Sequence, residues 1–284
     1  MSMFIAYENE VEPSSWRVLP QYKNTKTLLN RNGEFQLQGN VCPHQGSLIR
    51  QGTGTGLAAS CPYHGYTWNQ DGQPQGSGTV GHSKGTTKCP NTTPLTTDYV
   101  CNWNGFLFDA PIPVSADIAG DYKLEEYRQD RIKANYVPIM DLFLDIDHIP
   151  LVHKGVYNKI DIPDVKDVEW KSWWGGSAQF VIGQKAIWLA LYPGVMFEYQ
   201  PGAVFIMVNE AVSDTETISH VYKYRDYNYD HQTWITNSAI WEQAWAQDRA
   251  QAELLEPGWR TIPTENYDQE KRNFRGWMWN QKLN

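Results

Sequence analysis

Hydrophobic and polar positions divide the chain into two textures. Up to about residue 115 the apolar runs are short, as in Phe35-Gln36-Leu37, and Gly, Pro, Asn and Thr separate them. No 3.6-residue period is sustained there, which predicts a small all-β unit with long loops. The segment Tyr99 to Trp103, then Asn104-Gly105, then Phe106-Leu107-Phe108 reads as a hairpin, because both turn residues tolerate positive φ. Asp109 to Pro113 reads as a linker, so a boundary is expected near 112–118, with domains at 1–115 and 116–284.

Beyond the linker the periods lengthen. Residues 134–153 predict a helix or interrupted helix. Strand-like runs follow at Val168 to Trp174, Ala178 to Ile182, Val204 to Val208 and Ile218 to Tyr224. Residues 237–255 give the clearest helix, with Asn237 and Ser238 as cap candidates and Pro257-Gly258 as its stop. Its apolar stripe is Ile240, Trp241, Ala244, Trp245, Ala252 and Leu255; Glu242 and Glu253 fall outside it and are expected to face solvent. A helix, an antiparallel sheet and a long closing helix predict an α+β domain.

Composition changes this picture at few points. The chain has 24 Lys+Arg against 32 Asp+Glu, a formal charge of −8, so nothing marks it for nucleic acid or an anionic membrane surface. No apolar run is long enough to span a bilayer, and the first residues are acidic where a signal peptide needs basic ones. A cytoplasmic protein is expected. Four cysteines in 284 residues do not make a disulfide scaffold, and Cys beside His in a reducing compartment points to metal. Ten of the 13 Trp lie in the second half, as core or as the wall of an aromatic or apolar pocket.

Two clusters carry the candidate chemistry. The first is Cys42-Pro43-His44, sixteen residues, then Cys61-Pro62-Tyr63-His64-Gly65. Each arm offers one thiolate and one imidazole. Zinc is one reading, although zinc fingers place two Cys on one arm and two His on the other. A [2Fe–2S] centre in which two His replace two Cys on one iron suits mixed arms better. Cys89 and Cys101 have no ligand-spaced partner and read as ordinary thiols.

The second cluster is the run 140–153, MDLFLDIDHIPLVH. Asp141, Asp145 and His148 sit at i, i+4 and i+7, on one face of a continuous helix, and Pro150 is expected to break that helix just after His148 so that His153 can turn to the same point. Two imidazoles lack one anionic oxygen for a 2-His-1-carboxylate set, which leaves positions open on a non-haem Fe(II). Asp248, in the middle of the apolar stripe of 237–255, is a carboxylate that needs a metal or a buried ion-pair partner such as a nearby Arg.

The motif C-P-H-x16-C-P-Y-H-G resembles the Rieske iron–sulfur fingerprint. With Asp141, Asp145, His148, His153 and Asp248 matching N/D-x3-D/E-x2-H-x4-H and a later Asp, nearly the whole chain resembles the catalytic α subunit of a Rieske non-haem iron oxygenase. The segment RNFRGWMWNQKL near the C-terminus resembles that family too. Ser47 and Tyr63 stand where respiratory Rieske proteins carry an extra disulfide, which implies the oxygenase or ferredoxin kind. The resemblance implies an N-terminal Rieske domain followed by a helix-grip, START-like catalytic domain. By it, Cys42 and Cys61 hold one iron of the cluster and His44 and His64 the other, while His148, His153 and Asp248 hold a mononuclear Fe(II).

It further implies a reductase, with or without a ferredoxin, as electron donor, with O2 and a small organic substrate, aromatic or apolar, as reactants. Asp145 would couple the two centres across a subunit boundary, hence a homotrimer, and Asp141 stands where many members have Asn. With no GxGxxG fingerprint in the chain, NAD(P)H would act only indirectly through the reductase. The competing class is a non-enzymatic electron carrier with a small-molecule-binding C-terminal domain.

Overall fold

The computed structural model describes residues 3–75, 77–82, 85–90, 92–156, 168–173, 175–181 and 186–261. The RNFRGWMWNQKL segment and Ile182 lie outside them, as does the Cys89 side chain. The chain divides into two units: residues 8–110, and the first seven residues together with those from Pro111 onward. The division therefore falls before the linker midpoint, and the first strand, Phe4–Tyr7, goes with the C-terminal unit. There Phe4 packs edge-on to Tyr222 at 5.4 Å, and the Tyr7 hydroxyl donates to the Gly120 carbonyl at 3.0 Å.

Apart from two 3-10 turns at Glu8–Glu10 and Pro20–Tyr22, the regular structure described in the 8–110 unit is β. Five antiparallel strands lie in the order Thr97–Tyr99, Glu34–Gly39, Lys26–Arg31, Ser15–Val18, Thr53–Thr55. Asn32-Gly33, with φ of 58° and 100°, closes the central hairpin, and Asn104-Gly105, with φ of 54° and 86°, closes the expected one between Cys101–Trp103 and Phe106–Phe108. A smaller sheet of Ala59–Ser60, Thr67–Trp68 and Pro74–Gln75 carries the second Cys/His loop between its first two strands.

In the C-terminal unit, β1 (Tyr122–Ile132), β2 (Val168–Trp173), β3 (Gly176–Val181), β4 (Ile187–Leu191), β5 (Val195–Gln200), β6 (Ala203–Ser213) and β7 (Glu216–Asp226) form one antiparallel sheet. Its order is β1-β7-β6-β5-β4-β3-β2. α1 (Tyr136–Leu144), α2 (Ile149–Val152) and α3 (His231–Leu255) accompany it, and α3 packs on the sheet. Ala190, Met196, Phe205, Met207 and Val221 of the sheet meet Val137, Ile139 and Met140 of α1 and Trp234, Trp241, Trp245 and Ala252 of α3 in one core. The architecture is α+β: a β-rich unit with paired Cys/His loops, and a seven-stranded sheet packed by a long helix. No helix among the described residues is long and apolar enough to cross a membrane.

Three local expectations are corrected. α3 starts at His231, six residues before Asn237, because Asp230 caps it: the carboxylate accepts the Thr233 N–H at 2.8 Å and the Thr233 hydroxyl at 2.7 Å. Trp234, a full two turns before Trp241, extends the buried stripe through that polar first stretch. Glu242 turns toward the sheet, bidentate to Arg128 at 2.7 and 3.0 Å and paired with Lys223, whereas Glu253 is exposed and accepts the Lys133 N–H at 3.0 Å.

The third concerns the helical face of Asp141, Asp145 and His148, which does not form. α1 ends at Leu144, and Asp145 is extended at φ −93° and ψ 102°. Its Oδ1 accepts the Asp147 N–H at 3.0 Å, a local turn that competes with the next helical turn. Pro150 thus opens α2, in the first turn where no N–H is needed, instead of ending α1.

Candidate metal centres

Two loops of the 8–110 unit share one hydrogen-bonding plan. The Cys42 N–H donates to the Ser47 carbonyl at 2.8 Å and the Cys61 N–H to the Tyr66 carbonyl at 2.8 Å. Gly46 and Gly65 donate back to the carbonyls of Cys42 and Cys61, at 2.9 and 3.0 Å. Both glycines sit in the left-handed region, at φ 75° and 73°, with open space around them, so backbone conformation is what selects glycine there. Each loop thereby tucks its cysteine inward and leaves its histidine at the rim.

The donors then pair like with like. Cys42 and Cys61 are buried and pack with Ile49, Ala59, Tyr66, Trp68 and Leu95, and the two thiols touch. Burial first, and then the neighbouring Cys61, push the Cys42 thiol above its ordinary pKa, so two thiolates here call for a cation. The imidazoles of His44 and His64 lie with ring centres 4.9 Å apart at 76°, and Tyr63, 61% exposed, stacks on His64. These four donors do not converge on one point as a tetrahedral zinc site would. Among the described residues, only His148, His153 and Asp248 form a set of three or more such donors all within 4.8 Å. A thiol pair beneath an imidazole pair suits a two-iron cluster with a different donor on each iron.

The second centre is built at a helix break. His148 is the residue before α2 and His153 the residue after it, so the four-residue helix brackets the pair. Their Nε2 atoms are 3.0 Å apart, and Asp248 Oδ1, from α3, lies 3.3 Å from the first and 3.0 Å from the second. Three donors at right angles, each about 2.1 Å from a common ion, are about 3.0 Å from one another, so the set matches one face of an octahedron. Asp248 carries its charge readily: burial opposes ionisation, but His148 and His153 outweigh it and hold the pKa below the usual aspartate value. For His153, burial disfavours the cation, yet Asp248, with Gln247 and Glu198, shifts the balance upward. His148, His153 and Asp248 could therefore hold a divalent metal, with imidazole and carboxylate donors suited to Fe(II).

Asp141, in the last turn of α1, and Asp145, at its C-cap, both stay outside this donor set. Two further residues come from the tertiary structure. Gln247 Oε1 is 2.8 Å from His153 Nδ1, an arrangement in which the imidazole donates, leaving the Nε2 lone pair for a metal. Its one sequence signal is adjacency to Asp248. Glu198, in the middle of β5, is buried in a recess shared with Asp248, and burial pushes its carboxyl up to about 7; the Trp188 N–H opposes that shift, Asp248 adds to it, and Trp241 and His153 oppose it. The Gln247→Leu variant is expected to lower mononuclear iron affinity by roughly 10- to 100-fold. Competitive chelation checks this, and an unchanged affinity would remove Gln247 from the site.

Residues 2–89 match the Rieske [2Fe–2S] domain family. That domain coincides with the paired loops, and the rest of the fold follows the same proteins. The apo form of the quaternary ammonium Rieske monooxygenase CntA aligns over 98% of this chain and 86% of its own, at TM-score 0.67 and 14% identity. Naphthalene 1,2-dioxygenase with indole bound aligns over 92% and 76%, at TM-score 0.64 and 13% identity. The chain carries a Rieske [2Fe–2S] domain and shares its fold with Rieske oxygenases. Among curated proteins, the chain is 22% identical to putrescine 2-hydroxylase of Bordetella bronchiseptica, over 78% of this chain and 62% of that protein. Choline monooxygenase of Beta vulgaris is 22% identical, over 55% of this chain and 40% of its own. The chain thus spans about three fifths of the length of the putrescine hydroxylases it matches, 62% and 59%. A Rieske cluster and a mononuclear iron, the cofactors implied by the matched domain and the shared fold, are those the two donor sets suit.

Proposed function

We propose that the chain is an oxygenase subunit that hydroxylates or oxidatively demethylates a small organic substrate. Electrons would come from a reductase, with or without a ferredoxin, and NAD(P)H would serve only through it. The cluster would accept them singly, and the mononuclear Fe(II) would supply O2 activation. The observation that carries this reading is the presence, in one chain, of both the paired Cys/His loops and the His148, His153, Asp248 face. An electron carrier has no use for the second.

The residues divide the work. Cys42 and Cys61 would hold the cluster from the buried side, and His44 and His64, which are not buried, would hold it from the rim. Gln247 fixes the tautomer of His153, and His148, His153 and Asp248 would hold the iron, which would supply O2 activation. Asp145 would couple the two centres across a subunit boundary if the chain forms a homotrimer, and Asp141 lies one turn before it, in α1. Substrate class is suggested by the relatives' names, which include putrescine, choline and quaternary ammonium compounds as well as naphthalene.

The test is a single turnover: chemically reduced, iron-loaded protein exposed to 18O2 with 1,4-diaminobutane, choline, carnitine and naphthalene. Labelled product, or stoichiometric formaldehyde from a methylated substrate, is the expected result. Reoxidation of the cluster with no oxygenated product from any of them would favour the carrier.

A further inference from the structure

The recess beside the triad is lined by Ile139 and Phe143 of α1, Met196, Glu198 and Met207 of the sheet, and Trp241, Ala244, Trp245 and Asp248 of α3. All but two of these side chains are apolar. Asp248 is accounted for by the metal face; Glu198 is not. It stands at the centre of β5, 7% exposed, between Met196 and Gln200 on the same face of the strand. Its neighbours across the sheet are Trp188 of β4 and Phe205 of β6. A buried carboxylate at such a position opposes folding by several kcal/mol unless it is paired, and Met or Leu would fill the space without that cost.

Its hydrogen-bond donors within the chain are all neutral. The indole N–H groups of Trp188 and Trp241 donate to it, and Gln200 Nε2 is 3.3 Å from Oε1. Among the described residues no Lys or Arg pairs with it. The cations on this face of the sheet are committed elsewhere: Lys223 to Glu126 and Glu242, Arg128 to Asp130, Glu126 and Glu242. Glu198 is thus oriented and hydrogen-bonded without a Lys or Arg partner among the described residues, and it lines the recess it shares with Asp248.

Size and aromatic geometry narrow what could supply that charge. The recess holds about 30 Å³, room for one or two water-sized groups. A primary ammonium is of that size and brings three N–H donors to a carboxylate. A trimethylammonium head is several times larger, has no N–H, and needs open aromatic faces. Those faces are occupied here: Trp241 stacks on Phe205 at 4.8 Å and 14°, and on Trp245 at 5.9 Å and 20°. Arg128 and Lys223 lie against Trp241 and Arg249 against Trp245.

We propose that Glu198 is the specificity-determining anchor for a protonated primary amine of the substrate, holding the amine in the recess so that its carbon chain extends toward the metal face formed by His148, His153 and Asp248. This deepens the oxygenase reading and rests on it for the reaction, though not for the binding.

The test uses calorimetry on the anaerobic, iron- and cluster-loaded protein with n-butylamine, 1,4-diaminobutane, 1-butanol and choline. The two primary amines are expected to bind at least about 30-fold more tightly than 1-butanol or choline, the lower end for a desolvated charge pair. Glu198→Gln keeps the shape and the acceptor for the indoles and is expected to abolish that preference; Glu198→Asp should retain part of it. Equal binding of n-butylamine and 1-butanol, preference for choline, binding of none of the four, or unchanged amine affinity in Glu198→Gln would each overturn the proposal. The wild-type ligand series decides even where a variant fails to fold. The oxygenase reading fails separately. Amine selectivity without 18O incorporation leaves the anchor and removes the reaction, whereas oxygenation of naphthalene without amine affinity does the reverse.

Discussion

The Asp248→Ala variant is expected to contain about two irons and two sulfides per chain instead of about three irons and two sulfides, with an unaltered cluster spectrum and no O2-dependent turnover. Asp248 supplies the one anionic donor of the face, 3.0 and 3.3 Å from the two imidazole nitrogens. Without it, His153 and His148 are left as two imidazole donors with Nε2 atoms 3.0 Å apart and no anionic ligand beside them. The loss should exceed the roughly 10- to 100-fold associated with an outer partner such as Gln247. Iron and acid-labile sulfide analysis of anaerobically prepared protein, with product analysis, checks it. Retained turnover would end the assignment of Asp248 as a ligand; a changed cluster spectrum would mean the substitution is not confined to the mononuclear site.

Cys42→Ser should give the complementary loss. A serine hydroxyl cannot provide the thiolate that the cluster iron needs, and the buried position beside Cys61 offers no other donor within the apolar shell of Ile49, Ala59, Tyr66, Trp68 and Leu95. Both sulfides and two of the three irons are expected to disappear, with the visible absorption and the Rieske electron paramagnetic resonance signal, leaving about one iron per chain. Retention of both sulfides would show that Cys42 is not a cluster ligand. One zinc and no sulfide in the wild-type loops would return the loops to a zinc reading, against their like-with-like pairing. Together the two variants assign each iron to its own set of side chains.

Much of the local structure follows from short-range rules. Asn104-Gly105 and Gly65 act through backbone conformations that the residue types themselves favour, so the hairpin and one cluster loop were legible from a few neighbouring letters. The stripe of Trp241, Ala244, Trp245 and Ala252 marked α3, and Asp248 within it marked a carboxylate in need of a partner. The start of α3 was harder to read, since Asp230 acts as its cap only once the polar stretch up to Thr236 is helical. The break after Leu144 was misplaced for a related reason: Pro150 is the stronger general breaker, while Asp145 ends α1 through one side-chain bond to Asp147.

The sequence by itself determined the kinds of donor: two Cys/His arms, two histidines five residues apart, and an aspartate on an apolar helical face. It also determined the balance of β loops before residue 110 and sheet with helix after it. The sorting of the loop donors into a thiol pair and an imidazole pair, which the resemblance implied, has its physical cause in the fold, since it depends on which side of each loop faces the core. The tertiary structure alone brought residue 248 within 3.0 Å of residue 153, and placed Gln247 behind the imidazole and Glu198 beside the recess. Those contacts join strand and helix residues about fifty or a hundred positions apart, and no local period encodes a distance across a sheet that has to fold first.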